Sequence, residues 1–277
     1  MFEAELAHKL PELRGHEDYL TSCIFGALKY LPPDAVLFPF LKFSFNYRSN
    51  ETFEEYLKRK NINLSNLKPK FHFWPRSSTY GEPDLVITLE GGAGSFIIAV
   101  EIKYFSMKHG EEEQDQLARY YLALGTIDGR ETFSQKGIKY FSGDLLALVY
   151  LTQFEAELEI EESLKALELK GIRYAHDKFF HLRWQELPKI IEPLLLKEHD
   201  SYEKIICMDI KNLMESKALL PFTRFSKLSG ELLPELLLVF PVFFETEDSK
   251  DKHFIGFTDL PEQLSAELLS QRPVFLH

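Results

Sequence analysis

The chain reads as an α/β protein with a mixed central sheet flanked by helices and a C-terminal appendage. Three observations predict it. Two apolar strand patterns, Leu85–Leu89 and Phe96–Phe105, flank a glycine-rich turn at residues 90–95. The run from Leu145 to Thr152 is almost continuously apolar, as a central strand buried on both faces would be. Segments with helical spacing of apolar residues lie before, between and after these runs.

The first helix is expected over residues 16–31, where Tyr19, Leu20, Cys23, Ile24, Ala27, Leu28 and Leu31 recur at helical spacing and Pro32-Pro33 ends the pattern. Residues 51–60 suit a short polar helix, and residues 61–81, with Pro69 and Pro75, read as irregular. In the strand Phe96–Phe105 the alternation is clean. Phe96, Ile98, Val100, Ile102 and Tyr104 share one face, and Ile97, Ala99, Glu101, Lys103 and Phe105 share the other. Glu111–Leu124 reads as a helix opening with acids, as its dipole prefers. Phe154–Leu169 is an acidic amphipathic helix and Phe179–Trp184 a strand. A helix starts near Glu186 and should bend or end at Pro193, and another runs from Tyr202 to Leu219. Beyond Pro221 come short apolar bursts, Leu232–Phe244 and Phe254–Phe257, broken by charge. The expected division is a domain over 1–200 and a helical or irregular appendage over 201–277 packed on it.

A chain of 277 residues can bury a substantial core. Its apolar runs are too short to span a bilayer, and its N-terminus carries acid where a secretory signal carries base. Cys23 and Cys207 make neither a disulfide framework nor a metal spacing. The expectation is a soluble, cytoplasmic protein with no membrane partner. The net charge of -11 argues against a passive nucleic-acid coat. Yet residues 1–110 balance, with 13 basic and 13 acidic side chains, and Lys58–Gly81 holds six bases and no acid. That stretch, with Lys70 and Arg76, is either a solvated loop or a track for a polyanion.

The track leads into Glu82-Pro83-Asp84. If the two strands pair antiparallel, Asp84 and Glu101 fall at the same end of the hairpin and their carboxylates can converge on one hard divalent cation, Mg²⁺ or Mn²⁺. Two acids suffice for an ion that keeps several waters. The backbone carbonyl of Ile102, between them, is a candidate further ligand. Lys103 points to the same side as Glu101 and can orient or help deprotonate a water, or offset charge on a phosphoryl group. Gln116 and Tyr120 lie one helical turn apart, on a face beside the apolar stripe of Leu117, Tyr121 and Leu124. Glu17, in the first turn of the first helix, suits either the helix dipole or the metal site, and the sequence leaves both open.

Other motifs carry less. The histidines show no zinc-ligand spacing; His72 and His109 flank the acids and are either surface residues or phosphate contacts. Gly91-Gly92-Ala93-Gly94 precedes a strand and lacks the Gly-Lys-Ser/Thr of a phosphate loop. Ser142-Gly143-Asp144 is a turn before a strand. Phe71, Phe73 and Trp74 either pack in the core or stack on bases.

Taken together, Pro83-Asp84, Glu101-Ile102-Lys103 and Gln116-Leu117-Ala118-Arg119-Tyr120 resemble the PD-(D/E)XK nuclease superfamily, in its RecB-type form with a Gln-x-x-x-Tyr element. The resemblance covers roughly residues 16–185. It implies a restriction-endonuclease-like core, Asp84 and Glu101 as metal ligands, and Lys103 as the residue serving the attacking water. It also implies Gln116 and Tyr120 contacting the substrate or bracing the site, Glu17 as an additional acid, and DNA as the partner. A Mg²⁺-dependent deoxyribonuclease is the first expectation. The second is a catalytically silent binding or assembly module on the same fold, in a mobile-element or anti-phage setting. A homodimer contact through the segment after Pro221 and burial of that segment within the monomer fit equally.

Overall fold

The computed structural model describes residues 17–92, 94–104, 115–134, 141–196 and 202–220. The chain divides into two compact units, Met1–Pro221 and Phe222–His277. The second unit, with the apolar bursts after Pro221, lies outside the described residues, as do Phe105, His109 and Glu111–Gln114. The first unit is α/β, a mixed seven-stranded open sheet with helices on both faces.

Its elements in chain order are α1 (Glu17–Leu28), α2 (Leu37–Lys42), β1 (Phe45–Asn46), β2 (Glu51–Thr52), α3 (Phe53–Arg59), β3 (Lys68–Phe73) and β4 (Arg76–Ser77). There follow β5 (Leu85–Gly91), β6 (Gly94–Ile102), α4 (Gln116–Gly125), α5 (Ile127–Glu131), β7 (Phe133–Ser134), β8 (Asp144–Thr152) and α6 (Glu157–Leu169). The last are β9 (Phe179–Arg183), α7 (Glu186–Leu195) and α8 (Tyr202–Ser216). The sheet order is β2-β1-β9-β8-β6-β5-β3, and β4 pairs with β7 in a separate ribbon.

β5 and β6 form the expected antiparallel hairpin, with Leu85 opposite Val100 and Gly91 opposite Gly94. β6, β8 and β9 run parallel. A parallel step needs a crossover, and α4 and α6 supply the two. The alternation of β6 sorts its side chains as the sequence predicts. Ile98, Val100 and Ile102 join one core with α1, α2, α7 and α8, while Ile97 and Ala99 join a second with α4 and α6. β8 is buried from Leu145 to Thr152 and feeds both cores. A bulge puts Ile97 opposite Leu145 and Ile98 opposite Ala147, so Leu146 is the extra residue. Gly143 turns the chain into β8 with φ +102°, and a Cβ there would lie 2.5 Å from the Ser95 carbonyl. Only glycine meets both demands.

Three expectations change. Residues 61–81 are not irregular throughout, because Lys68–Phe73 forms the edge strand β3, antiparallel to β5. Pro69 is compatible because an edge strand has one side without ladder bonds. α7 continues through Pro193 to Leu195. α8, placed by sequence in the appendage, belongs to the first unit, where Cys207, Ile210 and Met214 are buried in the first core. The short α2 and the β1–β2 hairpin carry too few residues to show a period. Among the described residues no helix is long and apolar enough to cross a membrane.

β1 joins the sheet through Phe45 opposite His181 on β9. His181 is buried between Thr152 Oγ1, 2.8 Å from its Nε2, and the Tyr47 hydroxyl, 2.6 Å from its Nδ1. The Tyr47 hydroxyl also donates to Glu155 at 2.7 Å. Burial lowers the imidazole to about 4, with Glu155 opposing and Arg183 assisting. A histidine held neutral is a liability in acid. Between its ordinary value and about 4 the unfolded chain binds a proton that the folded chain does not, so stability falls with pH. The loss is absent above that window and complete below it, on the order of 3 kcal/mol. Urea unfolding followed from pH 7.5 to pH 4 should show that limb, and His181→Gln should flatten it.

Candidate active site

The rim where β6 leaves the core brings together most of the residues singled out by sequence. Asp84, in the segment entering β5, accepts a hydrogen bond from the Ile102 amide at 2.8 Å. Its own carbonyl accepts from the Trp74 amide at 3.0 Å, so β3, β5 and β6 are tied at one level. Asp84 and Glu101 are near enough for each carboxylate to act on the other electrostatically. The Lys103 ammonium donates to Glu101 at 2.8 Å and lies 3.5 Å from Glu17. Glu17 also accepts from the Tyr104 amide at 3.2 Å, which decides its position: it faces the site.

The second layer is equally specific. The Trp184 indole N–H donates to the Lys103 carbonyl at 3.2 Å, and the Lys103 amide donates to Leu151 on β8 at 2.8 Å. The Tyr104 hydroxyl donates to the Lys217 carbonyl, bringing the C-terminal end of α8 to the rim. Trp74 has φ 46°, an uncommon backbone for a bulky residue, costing roughly 1–2 kcal/mol. Its indole N–H donates to Asp18 at 2.9 Å, which helps hold that turn.

α4 contributes a polar chain. The Asp115 carboxylate caps it, accepting from the Ala118 amide at 2.8 Å. The Gln116 side-chain amide donates to the Tyr120 hydroxyl at 3.0 Å, which donates to the Glu82 carbonyl at 2.9 Å. Tyr120 therefore braces the turn that presents Asp84.

The electrostatics are those of crowded, desolvated charge. Burial, then the Glu101 charge, pushes the Asp84 carboxyl well above the usual carboxylate range. Burial raises Glu101 too, partly offset by the charge and hydrogen bond of Lys103. For Lys103 burial alone would lower the ammonium; the charge and hydrogen bond of Glu101 outweigh it and push it up, so this lysine stays protonated. Burial and then the Glu101 charge raise the Tyr120 phenol.

Two buried acceptors at this rim have no hydrogen-bond partner among the described residues, Glu101 Oε2 and Gln116 Oε1. Such atoms are costly and call for an explanation. Oxygen ligands of this kind suit a hard cation and its water shell. Against that, no three His, Cys, Asp or Glu side chains among the described residues form a metal-holding group. The protein-only donor set is the Asp84–Glu101 pair, with Glu17 turned toward Lys103.

Other candidates fall elsewhere. Lys70 is exposed on β3 opposite Thr88, three residues before Phe73, which pairs with Leu85. It stands apart from the acids. Arg76 is exposed, with Nε 3.8 Å from the Glu82 carboxylate. His72 is buried, 3.0 Å from Thr88 Oγ1 and edge-on to Phe141, so it is a core histidine. Phe73 and Trp74 are buried in the first core and Phe71 packs against it. Sequence reading passed over Asp18, Asp115 and Arg119. Asp115 directly before an apolar helical stripe was a legible cap signal; Asp18 and Arg119 were not, because nothing local marks what they face.

No family model matches the chain, and no solved structure matches it. An uncharacterized protein of Pasteurella multocida (strain Pm70) is 22% identical over 165 residues, 55% of this chain and 57% of that protein. The match thus spans little more than half of the relative's length, and its name carries no activity.

Burial and the mutual charge of Asp84 and Glu101 make this rim a source of instability. Asp84→Asn keeps an acceptor for the Ile102 amide and removes the repulsion with Glu101. It should raise unfolding stability, by about 1 kcal/mol, in chemical denaturation at pH 7. A loss of stability would mark Asp84 as a structural staple instead.

Proposed function

We propose that this protein is a divalent-cation-dependent nuclease that hydrolyses phosphodiester bonds of DNA, on a restriction-endonuclease-like core of the PD-(D/E)XK type. The supporting observation is a single one. Two carboxylates from adjoining strands and a buried ammonium meet at one rim, with a carboxylate oxygen and an amide oxygen left without partners.

Asp84 and Glu101 are the residues that would hold Mg²⁺ or Mn²⁺, with the Ile102 carbonyl as a further oxygen. The cation, when bound, supplies Lewis-acid polarisation of the phosphoryl group and makes water more acidic. Lys103, kept protonated by Glu101, serves as a positive charge: it orients the attacking water and stabilises the negative charge that develops on the phosphoryl oxygens. That role fits better than proton abstraction, since an ammonium has no lone pair to accept a proton. Glu17 fixes the Lys103 side chain from the opposite side. Gln116, held by Tyr120, offers its free amide oxygen to water at the site. Among the described residues at the rim none stands ready as a covalent nucleophile, and direct attack by water is the route this reading takes.

A second reading has one observation in its favour. The Lys103 ammonium already compensates Glu101, and no three-ligand group is present among the described residues. A silent binding or assembly module could keep the pair as a structural substitute for a cation.

Incubation with supercoiled plasmid and Mg²⁺ or Mn²⁺ separates the two. The nuclease converts plasmid to nicked or linear form, and a chelator stops it. Asp84→Ala and Lys103→Ala each lower the rate by on the order of 10²-fold or more while retaining a cooperative unfolding transition. Wild-type protein that neither cuts DNA nor takes up Mn²⁺ in calorimetric titration is the silent module.

A further inference from the structure

We propose that Arg119, with the Gly81–Glu82 turn beside it, forms an anion subsite that holds the backbone phosphate adjoining the one cleaved. The inference rests on the nuclease reading and extends it with a residue that no motif assigns.

Arg119 lies one position before Tyr120 on α4 and is half-buried. Its Nε is buried without a hydrogen-bond partner, and among the described residues no carboxylate pairs with its guanidinium. Arg130, the other arginine of low exposure among the described residues, is spent on the Leu124 carbonyl at 2.7 Å, and even the exposed Arg48 makes two 2.6 Å bonds to Glu161. A guanidinium is always charged and carries five donors. In a chain with 43 acids and 32 bases, a carboxylate partner would be easy to supply. A buried guanidinium N–H left without an acceptor among the described residues is costly unless an anion arrives from outside.

The location identifies that anion. Arg119 Nη2 would lie 3.7 Å from a Cβ at Gly81, and Gly81, with φ +95°, has no side chain to fill the space. Gly81 and Glu82 lead directly to Asp84, and the Tyr120 hydroxyl holds the Glu82 carbonyl. Arg119 thus flanks the carboxylates on the β5 side. On the β8 side a cavity of about 350 Å³ opens beside Lys103 and Tyr150, and Glu155, Glu157 and Glu159 line it. A polyanionic strand is repelled there and attracted on the β5 side, where Arg76 also stands near Glu82. The planar fork of an arginine matches two phosphate oxygens, which a lysine ammonium cannot reproduce.

The test uses the full-length protein and a fluorescein-labelled oligonucleotide, with binding read by anisotropy in a chelator and cleavage read in Mn²⁺. Arg119→Ala should weaken metal-free binding about 10- to 100-fold and make its salt dependence shallower by about one phosphate contact. Arg119→Lys should recover the salt slope but only part of the affinity. In cleavage, an uncharged methylphosphonate at the adjoining position should slow wild type and leave Arg119→Ala unaffected. Thermal unfolding checks that each variant is folded; if Arg119→Ala is not, Arg119→Gln takes its place. Unchanged binding and salt slope in the folded variant overturns the subsite, whether or not the protein cuts. Arg119-dependent binding by a wild type that never cuts keeps the subsite and removes the nuclease reading.

Discussion

Strand β6 is apolar on both faces for most of its length, carries a buried carboxylate near its end, and is followed directly by the buried ammonium of Lys103. That junction constrains everything around it. Glu101 and Lys103 are 2% and 5% exposed, so neither charge can be left to water. A buried ion pair of this kind stabilises little, because desolvation consumes most of the attraction, and losing one partner strands the other. The surroundings therefore serve to hold the pair in place. β8 takes the Lys103 amide, Trp184 takes its carbonyl, and Glu17 reaches from α1 to the ammonium and the Tyr104 amide.

The same economy governs the acids. Asp84 uses one oxygen to accept the Ile102 amide and remains beside Glu101, while Glu101 uses one oxygen on Lys103 and has the other unpartnered. Glu101 is thus anchored through one oxygen, with the other unpartnered among the described residues. Two desolvated carboxylates set against each other and Trp74 held in a left-handed turn beside them both cost stability. These costs are affordable because two cores, one on each face of the sheet, fix the strands independently of the rim.

The distribution of charge around the rim bears on an acidic protein that would act on a polyanion. With a net charge of -11 the molecule has no general attraction for nucleic acid. Local cations must do that work at short range, and they lie on the β5 side, whereas the β8 side is lined by glutamates. Under the nuclease reading this favours weak, directional contact with a strand over tight nonspecific coating, and strong sensitivity to salt.

By itself the sequence determined the α/β class, the β5–β6 hairpin with Glu101 and Lys103 in phase, the buried β8 and the helices between them. Each follows from a period of 2 or 3.6 or from glycine and proline punctuation, and these are local properties of the chain. β3 escaped notice because it begins with exposed Lys68 and Lys70, is buried only at its end in His72 and Phe73, and holds Pro69, so this edge strand looks like a loop. The short β1–β2 hairpin and α2 hold too few residues to show a period. Only the tertiary structure decided that Glu17 faces the site while Lys70 does not, that His72 is a core residue, and that Arg119 Nε has no hydrogen-bond partner among the described residues. Those facts depend on which side chains meet across elements far apart in the chain, and no local pattern encodes the distance between them.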